Sequence, residues 1–69
     1  MHVIQLTING QDRRFETAPT VAQVISQLAL TQRRIAVERN GEIIPRSRFD
    51  ETLLATGDRL EVVVAVGGG

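Results

Sequence analysis

The groups able to do chemistry in this chain are few, and they gather at its end, Val66-Gly67-Gly68-Gly69. The rest of the inventory is bare. There is no cysteine and a single histidine, His2, which excludes thiol nucleophiles, thiolate metal sites and zinc sites built on paired histidines. Neither a phosphate-cradling glycine loop nor an HExxH pattern occurs. Neighbouring carboxylates such as Asp50-Glu51 read as solvent-facing charge. No catalytic residue, metal or bound cofactor is expected within the chain itself.

What remains is the carboxylate of Gly69. An α-carboxyl group has an unperturbed pKa of about 3.3–3.7, so it is an anion at neutral pH and a poor electrophile. It becomes reactive as a mixed anhydride, for instance an acyl-adenylate made from ATP. That step needs Mg²⁺ and a nucleotide pocket, and these must come from a partner enzyme. Gly67, Gly68 and Gly69 suit such a partner. Three extended residues reach about 10 Å, and without Cβ atoms they can thread an active site and lie close to a nucleotide. A frayed terminus has the same appearance, so the reading depends on what the preceding residues build. The chain also contains no lysine, so it offers no side-chain amine to receive another copy's carboxylate.

The stretch Leu60 to Val66 runs into the glycines. It is β-branched with apolar residues on both faces, as expected of a central strand. At the other end, His2 to Ile8 alternates as a strand with one apolar face. Asn9-Gly10 then signals a two-residue type I′ hairpin turn, and Gln11 to Glu16 is the return strand, an edge, with Ile4 opposite Phe15. Thr20 and Gln23 form a capping box for a helix reaching about Leu30, with Val21, Val24, Ile25 and Leu28 on one stripe. Ile35 to Arg39, Asn40-Gly41 and Glu42 to Ile44 form a second hairpin, pairing Val37 with Ile44 and Glu38 with Ile43. Pro45 closes it. A helical turn over Arg46 to Asp50 with Phe49 as a core plug, and a turn at Thr56-Gly57-Asp58, lead into the last strand. The order β-β-α-β-β-β predicts an α+β fold. It is the ubiquitin-like β-grasp, a mixed sheet of about five strands, first and last parallel and central, with one helix across one face.

Sixty-nine residues make one domain, expected to span residues 1–66 with a flexible glycine tail at 67–69. Eight arginines balance eight acidic residues, and the two phenylalanines are too few for a base-stacking platform, so nucleic-acid binding is not expected. Arg13-Arg14 and Arg33-Arg34 read as solvated charges. No leader is visible and no apolar run approaches the roughly 20 residues that span a bilayer. With no disulfide possible, the expected location is cytoplasmic.

The chain resembles the sulfur carrier proteins of thiamine biosynthesis, the ThiS family. Val37-Glu38-Arg39-Asn40-Gly41-Glu42-Ile43-Ile44-Pro45-Arg46 looks like that family's central hairpin. Gly57-Asp58-Arg59-Leu60-Glu61-Val62 looks like its turn into the last strand, and Val66-Gly67-Gly68-Gly69 like its tail. The resemblance implies a carrier rather than an enzyme. An E1-like adenylyltransferase of ThiF type adenylates Gly69 with ATP and Mg²⁺. A persulfide sulfur from a cysteine desulfurase route displaces AMP to leave a thiocarboxylate. A thiazole synthase of ThiG type then takes the sulfur. Ile43, Val63 and Ala65 are expected on the outer face of the sheet, either as a docking surface for these partners or as a modest exposed patch. Two other uses share the fold and tail: the small subunit of molybdopterin synthase, and a protein-conjugating ubiquitin-like modifier.

Overall fold

The computed structural model describes residues 3–65 of the chain. His2 and the tail Val66–Gly69 lie outside the described residues. Five strands and one α-helix follow the expected order: β1 (Ile4–Ile8), β2 (Gln11–Phe15), α1 (Val21–Gln27), β3 (Ile35–Arg39), β4 (Glu42–Ile44) and β5 (Arg59–Val64), with a 3₁₀ turn at Arg46–Arg48. The strands form one sheet in the order β2-β1-β5-β3-β4. β5 sits in the centre, parallel to β1 and antiparallel to β3. This is the β-grasp arrangement.

Both hairpins turn as their Asn-Gly pairs dictate. Asn9 and Gly10 have φ of +51° and +81°, Asn40 and Gly41 +52° and +88°, the positive values a type I′ turn requires at both positions. The registers follow: Ile4 opposes Phe15, Val37 opposes Ile44 and Glu38 opposes Ile43.

The core lies between one sheet face and α1. Leu6, Ile8, Phe15, Val37, Leu60 and Val62 come from the sheet, and Val21, Val24 and Ile25 from the helix. Phe49 and Leu54, from the segment that joins β4 to β5, close the open end. That segment also satisfies the free N–H groups of the helix N-terminus. Val21 N–H donates to the Thr52 carbonyl (3.0 Å) and Ala22 N–H to the Phe49 carbonyl (3.0 Å). The capping box supplies the next, Gln23 N–H to Thr20 Oγ1 (3.1 Å) with Gln23 Oε1 accepting from Thr20 N–H (2.8 Å).

The helix is shorter than its apolar stripe suggests. It ends at Gln27, not near Leu30. Ala29 takes φ +60°, and Ala29 N–H and Leu30 N–H return to the carbonyls of Ser26 and Ile25, each at 3.0 Å. This is the Schellman arrangement, with alanine where glycine is usual. Leu30 still packs against the core, as the residue after the reversal rather than as helix.

Candidate functional site: the exit of the central strand

β5 carries the chain to the glycines, and its two neighbours hold it unequally. On the β3 side the rungs run the whole length, from Asn40 N–H on the Arg59 carbonyl to Ala65 N–H on the Arg34 carbonyl, each 2.8 Å. On the other side β1 supplies Thr7 N–H to the Asp58 carbonyl (3.1 Å) and Asn9 N–H to the Leu60 carbonyl (2.9 Å), then turns away. The Asn9 side chain makes the next rung. Its Oδ1 accepts from Val62 N–H (2.8 Å) and its Nδ2 donates to the Val62 carbonyl (3.2 Å). An asparagine amide carries a donor and an acceptor, so it replaces a missing strand residue. By strand alternation the polar groups of Val64 face the same side. Among the described residues they form no hydrogen bond there.

The start of β5 is fixed by a buried carboxylate. Asp58 accepts from Ala55 N–H at Oδ2 (2.9 Å) and from Asn40 Nδ2 at Oδ1 (3.1 Å), and Arg39 Nε lies 3.4 Å from Oδ2. Asn40 Oδ1 in turn accepts Arg59 N–H (2.9 Å). Each hairpin turn thus places its asparagine amide on the β5 backbone, Asn40 at its start and Asn9 at Val62, just past the last rung to β1. The sequence reading missed this second task of Asn9 and Asn40. Two Asn-Gly turns flanking one central strand are the signal that could have revealed it.

The expected outer-face residues are exposed: Ile43 by 73 % and Val63 by 62 %, with Ala65 exposed as well. They do not form one continuous patch. Val63 opposes Ala36, whereas Ile43 opposes Glu38, which opposes Glu61. Two strand spacings and a two-residue offset put Ile43 about 12 Å from Val63, with Glu38 beside Ile43 on the neighbouring strand. Along β5 the outer face therefore passes from acidic (Glu61 and Glu38) to apolar (Val63 and Ala36) and then to Ala65, bonded to Arg34. Among the described residues, no group of three or more His, Cys, Asp or Glu is placed to hold a metal ion. No described helix is long and apolar enough to cross a membrane.

Comparison with known proteins places this geometry. Over 66 residues the chain is 41 % identical to a thiazole synthase of Paramagnetospirillum magneticum, a match that takes in 96 % of this chain and 20 % of that protein. The chain thus spans about a fifth of that relative's length. It is 35 % identical over 65 residues to the sulfur carrier protein ThiS of Bacillus subtilis, covering 93 % of this chain and 98 % of that one. The crystal structure of the thiamine biosynthesis protein ThiS from Geobacter metallireducens superposes with a TM-score of 0.79 at 35 % identity, covering 96 % of this chain and all of the other. Residues 6–69, from the middle of β1 through the last glycine, match the ThiS family, and it is to the ThiS family that the chain belongs.

Proposed function

We propose that this chain is a sulfur carrier for thiazole formation in thiamine biosynthesis, a substrate of its partner enzymes and not itself a catalyst. The observation that carries this reading is the family match, which runs through the glycines to residue 69. The geometry agrees, because the central strand of the sheet leads directly to them. In the proposed cycle an oxygen of the Gly69 carboxylate attacks the α-phosphorus of ATP, and pyrophosphate leaves. Mg²⁺ and the nucleotide pocket belong to an adenylyltransferase of ThiF type. A persulfide delivered by a desulfurase route attacks the activated carbonyl through its outer sulfur and expels AMP, and a second thiol of the partner proteins then cleaves the resulting acyl disulfide, forming a disulfide on the partner side and freeing the Gly69 thiocarboxylate. The thiocarboxylate so formed is the donor to a thiazole synthase of ThiG type. Gly67 and Gly68 let the backbone enter both active sites, and Val63 with Ala65 forms the apolar ground beside the exit, Ile43 lying apart from it.

The synthase assignment has its own support. A stretch similar to this chain makes up a fifth of a protein named thiazole synthase. Joining carrier and synthase in one polypeptide raises their effective concentration for each other, a gain that is useful where the two must meet.

Intact-mass spectrometry tests the proposal. After incubation with adenylyltransferase, ATP and a sulfur source, the chain gains the mass difference of sulfur for oxygen. Deleting Gly68 and Gly69 abolishes this gain and leaves the melting temperature unchanged. Full loading of the truncated chain refutes the assignment of the tail, and adducts on other proteins point instead to a modifier.

A further inference from the structure

The end of the sheet from which β5 leaves is cationic. Arg34 is the residue whose carbonyl receives Ala65 N–H, at 2.8 Å. Arg33 precedes it, and Arg46 reaches across from the 3₁₀ turn to donate from Nη2 to the Arg33 carbonyl at 2.8 Å. The three are exposed and line one shallow groove with Gln32 and Ile35. Among the described residues none of them is in an ion pair. The pairs that form are Arg39–Asp58 and Arg48–Glu51.

The single bond from Arg46 to the Arg33 carbonyl ties the 3₁₀ turn to the loop before β3, but it does not call for three positive charges. Like charges side by side repel, and the bond to Arg33 keeps Arg46 from swinging away. In a chain with no net charge, three cations collect at the root of the tail, while Glu38 and Glu61 oppose each other farther down the same sheet. Such a gathered group lowers the free energy of an anionic surface brought against it and speeds encounter with that surface. Reach decides which anion is met. The four residues from Val66 to Gly69 span up to about 14 Å when drawn into a channel. That is well beyond an arginine side chain anchored at the level of Ala65. The arginines therefore face the channel mouth, and the nucleotide phosphates at its far end are out of range.

We propose that Arg33, Arg34 and Arg46 form a docking cluster for the ATP-using enzyme that activates the tail, and that carboxylates line the mouth of that enzyme's tail channel. The proposal rests on the carrier reading above. The attraction rests on positive charge, which steers the docked body toward the channel mouth.

The test is ATP–pyrophosphate exchange by that enzyme, with carrier concentration varied at about 0.02 M and about 0.5 M salt, where the Debye length falls from about 20 Å to about 4 Å. The variants are Arg33→Gln/Arg34→Gln and the charge-conserving Arg33→Lys/Arg34→Lys, with thermal unfolding followed in parallel. The glutamine variant is expected to lose about tenfold in kcat/KM at low salt, within the range of electrostatic steering, through KM and with kcat unchanged. The loss should shrink at high salt and be largely absent in the lysine variant. Wild-type efficiency in the glutamine variant at low salt overturns the docking cluster. So does a fall in kcat at saturating carrier, which would place the arginines at the reaction itself. If the unmodified chain supports no exchange, the carrier reading fails and the proposal fails with it.

Discussion

Asn9→Gly removes the rung that holds β5 where β1 has turned away. Glycine keeps the positive φ of the turn (+51° at Asn9), so the hairpin survives. What disappears is the pair of side-chain bonds to the Val62 N–H and carbonyl, at 2.8 and 3.2 Å. Each is part-buried, and a hydrogen bond of this kind contributes about 0.5–1.5 kcal/mol net. Losing two, with the extra backbone entropy of glycine, costs about 2 kcal/mol, or about 8–16 °C in Tm for a domain of this size. Asn9→Asp keeps the acceptor and loses the donor, so its deficit should be about half as large. Urea unfolding measures the ordering Asn above Asp above Gly. Amide exchange provides the sharper test. In Asn9→Gly the Val62 amide should lose protection, while the Val63 amide, on the β3 side of the strand, keeps protection up to the lowered global limit. A Gly variant within about 0.5 kcal/mol of wild type, the usual range of inconsequential surface changes, or equal loss at Val62 and Val63, refutes the clasp.

Ala29→Gly should stabilise the chain by about 0.5–1 kcal/mol, because Ala29 ends α1 at φ +60°, where a Cβ is strained; a lowered urea midpoint would contradict this. Val63→Asp should weaken binding to the adenylyltransferase more than it lowers stability. Val63 is already 62 % exposed, so the folding loss stays near 1 kcal/mol, and a steep fall in Tm would show the side chain to be core. Val64→Pro should be tolerated better than Val63→Pro by about 1–3 kcal/mol, since the first removes an N–H with no described partner and the second breaks a rung to β3. Equal losses in denaturant titrations would overturn the alternation.

The parts of the fold that follow local rules were legible in the sequence. The Asn-Gly turns, the capping box at Thr20 and the strict alternation of β1 set registers that the structure reproduces residue for residue. The helix end was not legible, because an apolar stripe at helical spacing continues through Leu28 and neither glycine nor proline marks the stop. The reversal at Ala29 is enforced by Leu30 packing into the core, a tertiary effect. Leu54 was missed for a similar reason, since it lies in a segment without periodicity and is buried because that segment lies over the helix N-terminus. At the candidate site, the exposure of Ile43, Val63 and Ala65 followed from parity along the strands. Their separation into different rows, and the meeting of Arg46 with Arg33, depend on how elements distant in sequence come together, which no local pattern encodes.

The unequal support of β5 bears on how a carrier is recognised. Leu60 and Val62 are both buried, and each such side chain is worth about 1.5–3 kcal/mol to the fold. With rungs to β3 as far as Ala65, pulling the strand from the sheet would cost several times the net strength of a single hydrogen bond. A partner that draws in the glycines therefore draws the whole body after them. In the proposed cycle Ala65 and Arg34 would then reach the mouth of the partner's channel first, followed by Val63 and, farther back, by the acidic pair Glu38 and Glu61. Because glycine has no side chain, the tail provides little to distinguish one carrier from another. On the proposed carrier reading the discriminating contacts come from the body, and the rungs from β5 to β3 hold those contacts together as one surface where the described part of the strand ends.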